Sequence, residues 1–210
     1  MCLDSVKTNW RQLKWIDETQ QTEELCLEAV KQNPYALQYI KDQTPKICLE
    51  AVRTSGMSLK YIKNQTPEVC LAAVKKSGWA IQYVKDRTPE LCLEAVKSTG
   101  LALRYVKNQT PEICLAAVQQ NGNALLFVKE QTPDICLAAV RQGAWALKYV
   151  KEQTLSIALA ALKQNSDSRK YLADRFRTPE VYEAAGCDYK PEDLAPSRRS
   201  AERERTESRH

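Results

Sequence analysis

The sequence predicts an all-α protein, an α-solenoid of stacked short αα-hairpins, and three observations carry that prediction. The first is a period: TPEICLAAVQQNGNALLFVKEQ, residues 110–131, restarts as TPDICLAAVRQGAWALKYVKEQ at Thr132, and the same wording opens at Thr22, Thr44, Thr66 and Thr88, 22 residues apart. A fixed period of that kind marks a solenoid, where one supersecondary unit repeats because it cannot bury its apolar face alone. The second is that the apolar residues of each unit fall in two clusters at helical spacing, with a turn between them. The third is a helix-start signal at the same place in every unit.

Taken in order, the first helix of the unit opens on Thr44, Thr66, Thr88, Thr110 or Thr132, each followed by Pro. The hydroxyl can cap the first free N–H groups, and Pro at N1 loses no helical bond. An acid comes next at Glu68, Glu90, Glu112 and Asp134, where the helix dipole favours it. Ile113, Cys114, Leu115, Ala117 and Val118 then cover more than half of the helix circumference, so this helix is expected to pack on several sides with Leu115 among the buried residues. Asn33-Pro34 announces a second helix, as do Gly56, Gly78, Gly100 and Gly122 at the matching place, where Gly could also end the first helix in a left-handed conformation. Ala124, Leu125, Phe127 and Val128 form the apolar side of that second helix and leave a broad polar back. Two helices of about nine or ten residues are expected per unit, too short to be stable alone, so stacking must stabilise them.

Six such units fill residues 22–153. Residues 1–21 read as a degenerate N-terminal repeat without the Thr-Pro signal and with two extra residues within Asp17 to Gln21. Residues 154–186 read as a degenerate repeat, in which Leu155 replaces Pro and Ala158 replaces Cys, followed by a capping helix from Thr178 to Gly186. Residues 187–210 form a charged tail that cannot bury enough apolar surface to offset its ordering entropy, and disorder is predicted there. The whole chain of 210 residues is 43% apolar and 27% charged, ordinary for a globular protein, with no apolar run as long as a membrane span and no signal-peptide order at its start. The default compartment is the cytoplasm, or a host cytosol for a secreted effector, and the default state is a monomer.

Four columns recur through the units. Seven cysteines (Cys2, Cys26, Cys48, Cys70, Cys92, Cys114, Cys136) occupy one position, and with one Cys per helix and a single His at residue 210 neither a metal site nor a disulfide framework is expected. They read as small buried residues. Tyr39, Tyr61, Tyr83, Tyr105, Phe127, Tyr149 and Tyr171 read as edge-of-core aromatics in preference to base-stacking platforms. Lys41, Lys63, Lys85, Lys107, Lys129 and Lys151 could bind a polyanion, yet a lysine in the last turn also complements the helix dipole, and 17 basic against 13 acidic residues over 22–153 is a weak surplus for a phosphate binder. The fourth position varies while its surroundings stay fixed: Tyr35, Met57, Trp79, Leu101, Asn123, Trp145. A constant frame carrying large, varied, partly exposed side chains suits modular recognition; filling the gap to the next unit is the competing role.

The wording Thr-Pro-Glu, Cys-Leu-x-Ala-Val, Gly, Ala-Leu-x-Tyr-Val, as at Thr66-Pro67-Glu68 and Thr110-Pro111-Glu112, resembles the tandem repeat family known as domain of unknown function 4116, over about residues 1 to 185. The resemblance implies an all-helical repeat domain of bacteria and large DNA viruses, suspected in proteins acting inside host cells. It implies no activity and brings no catalytic residues. No Gly-rich phosphate loop, no His within the array and no nucleophile with a base point to an enzyme or to a cofactor. The expected function is therefore a non-catalytic scaffold that binds a protein partner through Tyr35, Trp79, Leu101, Arg104, Trp145 and Lys148 on the second helices. Polyanion binding along the lysine column is the first alternative, and a self-associating structural element the second; a membrane partner is not expected.

Overall fold

The computed structural model describes residues 2–190, all of whose regular elements are helical. The expected disordered tail lies outside the described residues from residue 191 onward. The chain forms two compact units, Met1–Val106 and Lys107–His210. Among the described residues, no helix is long and apolar enough to cross a membrane.

The first unit holds the α-helices α1 (Cys2–Thr8), α2 (Glu23–Gln32), α3 (Pro45–Thr54), α4 (Pro67–Lys76) and α5 (Pro89–Ser98). Each of these packs on the next, and a second row of helices runs beside them at Trp10–Trp15, Pro34–Tyr39, Gly56–Tyr61, Gly78–Tyr83 and Gly100–Tyr105. The second unit repeats the two-row arrangement with α6 (Pro111–Gln120), α7 (Pro133–Gln142), α8 (Leu155–Gln164) and α9 (Pro179–Ala185), beside Gly122–Phe127, Ala144–Tyr149 and Ser166–Tyr171. The two extra residues of the first repeat fall in a short turn of 3₁₀-helix, Glu18–Gln20, capped by the Asp17 carboxylate.

The α-helices begin as their sequence predicts. From Thr22 to Thr154 each hydroxyl at the start of a repeat accepts the N–H three residues on, at 3.3–3.4 Å. Thr178 makes no such bond to the backbone of α9, while Gly186 ends that helix in the left-handed region at φ 72°.

Three expectations are corrected. The second helix of each repeat is a 3₁₀-helix of six residues, not an α-helix of nine or ten. In the repeat opened by Thr44 it buries Gly56, Ser58 and Leu59, and Gly56, Leu59 and the following Ile62 fall on one side at the three-residue period of a 3₁₀-helix. Six residues at about 2.0 Å rise span about 12 Å, against about 15 Å for ten at about 1.5 Å. The glycines at its start are extended or helical in the ordinary sense, since Gly186 alone among the described residues has positive φ. Gly56, Gly78 and Gly122 are there for close approach: a Cβ would stand 2.4, 2.2 and 2.5 Å from the carbonyl oxygens of Ala73, Ala95 and Ala139 in the following repeat. Leu115 is half-buried, whereas Ile113, Cys114, Ala117 and Val118 are buried. At 100° per residue those four span about 140° of the wheel, and Leu115 lies about 60° past its edge.

Two outcomes follow in equilibrium denaturation. Gly78→Ala is expected to destabilise by about 1–3 kcal/mol through overpacking, although helix propensity alone predicts a gain of about 1 kcal/mol. Ile113→Ala is expected to cost about 2–5 kcal/mol, and Leu115→Ala less than half as much.

Candidate functional site

The outer face of the 3₁₀ row is held in register by a glutamine at the end of every repeat but the one that ends at Arg87. The Gln43 side-chain amide donates to the Leu37 carbonyl of its own repeat (3.0 Å) and to the Tyr61 carbonyl of the next (2.9 Å), while its oxygen accepts the N–H of Lys63 (2.9 Å). Gln131 does the same toward Leu125, Tyr149 and Lys151. Gln21, Gln65, Gln109 and Gln153 each bridge the carbonyl 18 residues on and the N–H 20 residues on. The chain turns away at the end of each 3₁₀-helix and leaves those two backbone groups without a helical partner; the amide satisfies both. Arg87 stands at this position in one repeat. A guanidinium has no acceptor, and Arg87 turns its donors back to the Ile81 and Gln82 carbonyls, both at 2.9 Å.

The lysine column lies immediately beyond. The Lys63 ammonium donates to the Lys41 carbonyl (3.1 Å), Lys85 to Lys63 (2.8 Å), Lys129 to Lys107 (2.6 Å) and Lys151 to Lys129 (3.0 Å). Lys41, with no such predecessor, pairs with Glu18. These side chains are exposed, and Lys63, Lys85, Lys129 and Lys151 each commit an N–H to the backbone of the repeat before.

The cysteines from Cys26 to Cys136 are buried and free. Cys70, Cys114 and Cys136 lie with their thiols 3.6–3.7 Å from the Oε1 of Gln65, Gln109 and Gln131, at weak hydrogen-bond distance. Burial pushes the Cys136 thiol up to about 11, and burial together with the Asp42 and Glu23 carboxylates does the same to Cys26. Such thiols stay protonated near neutrality and are poor nucleophiles. Clefts lie between successive repeats over this column, of 300 Å³ around Cys114 and 290 Å³ around Cys136 in the second unit, and of 510 Å³ around Cys70 in the first. Lys129 lines both clefts of the second unit.

The variable position is partly exposed and also packs against the following repeat. Tyr35 and Trp145 are 41% and 40% exposed, and Trp79 and Leu101 are half-buried. Each aromatic at this position also packs edge-on against the tyrosine of the next repeat: Tyr35 on Tyr61 at 5.8 Å, Trp79 on Tyr105 at 6.1 Å, Trp145 on Tyr171 at 5.9 Å. A cation lies over the same tyrosine: Lys60 at 5.5 Å from the Tyr61 ring, Arg104 at 5.1 Å from Tyr105, Lys170 at 5.5 Å from Tyr171. Trp79 and Arg104 thus meet through Tyr105. Trp145 and Lys148 share a 3₁₀-helix but not a ring, since Lys148 covers Tyr149 (4.6 Å) and Trp145 takes Lys170 (4.2 Å).

Sequence reasoning passed over Lys170, which sits in the degenerate last repeat, and the glutamines, whose signal was their repetition before Thr-Pro. The tyrosines it assigned to packing also complete the exposed clusters.

A family model described as Domain of unknown function (DUF4116) matches residues 1–44, 22–66, 44–87, 66–110, 88–132 and 110–155, overlapping segments that advance by one repeat at a time. No curated protein and no solved structure matches the chain.

Two measurements check the roles of these side chains. Gln131→Leu leaves the Tyr149 carbonyl and the Lys151 N–H without their bond and is expected to cost about 2–4 kcal/mol, while Arg87→Gln supplies an acceptor and is expected to gain about 1 kcal/mol, both read from denaturation midpoints. The contribution of these two thiols to stability is fully present below pH 9.0, the ordinary thiol value, and is lost as pH rises toward about 11, because the unfolded thiols ionise first. The melting temperature of a Cys26→Ala/Cys136→Ala variant is expected to fall less over that window than that of the wild type.

Proposed function

The chain belongs to the family described as domain of unknown function 4116, and from that premise of a repeated scaffold we propose that it is a non-catalytic protein-recognition array. The partner docks on the outer face of the 3₁₀ row, with Tyr35, Trp79, Leu101 and Arg104 as contacts on the first unit and Trp145 and Lys148 on the second. The observation that carries this reading is the position that varies while its frame is constant. The glutamine and lysine columns bond to backbone and fix the repeats, so the residues between them are released to differ. Large aromatic and cationic side chains, partly exposed and partly immobilised by a neighbouring ring, are the types that dominate protein interfaces. Immobilisation before binding lowers the entropy cost of ordering them.

The polyanion reading is less favoured because Lys63, Lys85, Lys129 and Lys151 already donate to carbonyl oxygens of the preceding repeat. A cytoplasmic location, or a host cytosol, suits a scaffold whose buried thiols from Cys26 to Cys136 are free.

The test is a pull-down from source-cell lysate with the wild type, a Trp79→Ala/Trp145→Ala variant and a Lys63→Glu/Lys107→Glu variant, with bound protein and nucleic acid both identified. A protein retained by the wild type and the lysine variant and lost with the tryptophan pair is the expected result. Capture of nucleic acid alone, lost with the lysine pair and released by salt, would overturn the proposal.

A further inference from the structure

The charge on the 3₁₀ face is one-sided. The helices Pro34–Tyr39, Gly56–Tyr61, Gly78–Tyr83 and Gly100–Tyr105 of the first unit read PYALQY, GMSLKY, GWAIQY and GLALRY, with no Asp or Glu among them. Lys60 and Arg104 are the cations of these four helices, both exposed; the first helix of the row, Trp10–Trp15, adds the exposed Arg11 and Lys14. Lys60 lies over Tyr61 and is paired with no carboxylate among the described residues. Lys60 and Arg104 each belong to a composite cluster built by two successive repeats: Tyr35 edge-on to Tyr61 with Lys60 over it, and Trp79 edge-on to Tyr105 with Arg104 over it. The intervening repeats present the neutral Gln38 and Gln82 at the cationic position.

We infer that this face of the first unit binds an acidic linear segment of a partner protein that carries two anchors, each a carboxylate beside an aromatic or aliphatic side chain. The inference rests on the reading of the 3₁₀ row as the docking face and adds the chemistry of what docks. A carboxylate meeting a cation held over a ring gains from its fixed position, and the rim of Tyr35 or Trp79 shields the pair from water. The two clusters are two repeats apart, about 16–20 Å for helices packed at about 8–10 Å. That distance is spanned by about five or six residues of extended chain or about eleven to thirteen of α-helix. The same spacing disfavours a nucleic acid, whose phosphates recur every 3.4 Å or so along a strand and would meet one cation for about five charges.

The experiment is selection of a random 20-residue peptide library displayed on phage against the immobilised full chain, with parallel selections on Lys60→Glu/Arg104→Glu and Tyr35→Ala/Trp79→Ala variants of unchanged far-UV circular dichroism. Enriched peptides are expected to carry Asp or Glu next to Leu, Phe or Trp in two clusters at the spacing above. A synthetic enriched peptide is expected to bind the charge-reversed variant at least ten-fold more weakly, and its Asp/Glu→Lys version to regain binding there. Peptides lost with Tyr35→Ala/Trp79→Ala but without acidic bias, and indifferent to charge reversal, would overturn the acidic partner while leaving the docking face in place. Peptides indifferent to both variants, or no enrichment over a blank surface, would overturn both.

Discussion

Each repeat has to hand its backbone over to the next, and one amide side chain does it. A 3₁₀-helix of six residues is too short to close its own end, so a carbonyl and an N–H are left where the chain turns toward the next α-helix. Gln43 and Gln131 reach both groups of the following repeat and a carbonyl of their own. The side chain that satisfies the turn is thus the one that sets the stacking distance. The glycines agree with that distance: the carbonyl of Ala95 sits where a Cβ on Gly78 would have to be. The lysines of the next position then follow the same step, each ammonium reaching one repeat back.

Much of this was legible in the sequence, because periodicity repeats the same evidence in every unit. The period, the threonine caps at Thr44 through Thr132, the burial of the cysteines from Cys26 to Cys136 and the Gly186 terminus all follow from local rules about donors, acceptors and side-chain size. What could not be read was the second helix. A cluster such as Ala124, Leu125 and Val128 has the spacing of either helix type over so few residues, and the choice is made by where the neighbouring repeat lies. The role of the glycines was hidden for the same reason, since the atom that excludes a side chain at Gly56 belongs to Ala73, 17 residues away. Leu115 was misjudged because a wheel records direction but not how far the neighbours extend.

The candidate face was legible as a position, not as a geometry. The alternation of Tyr35, Met57, Trp79 and Leu101 against a constant frame marked it. That Tyr61, Tyr105 and Tyr171 lie between an aromatic of one repeat and a cation of the next needed the stacked structure. Core and candidate contact surface are therefore not separate sets of residues here. The ring that seals the joint between two repeats is also the floor on which the exposed cation rests.

Between repeats, the glutamine bonds run from one repeat to the one after it, and each repeat that follows a glutamine offers the same two backbone groups to its predecessor. Nothing in a glutamine joint records which repeat it belongs to, and Arg87 marks the one exception among the six repeats. Unequal recombination between the near-identical coding segments would lengthen or shorten the array by whole repeats without disturbing a single joint, carrying each variable side chain along as a unit. The repertoire of the exposed face can then change by reordering and copying as well as by substitution, with the fold indifferent to the outcome.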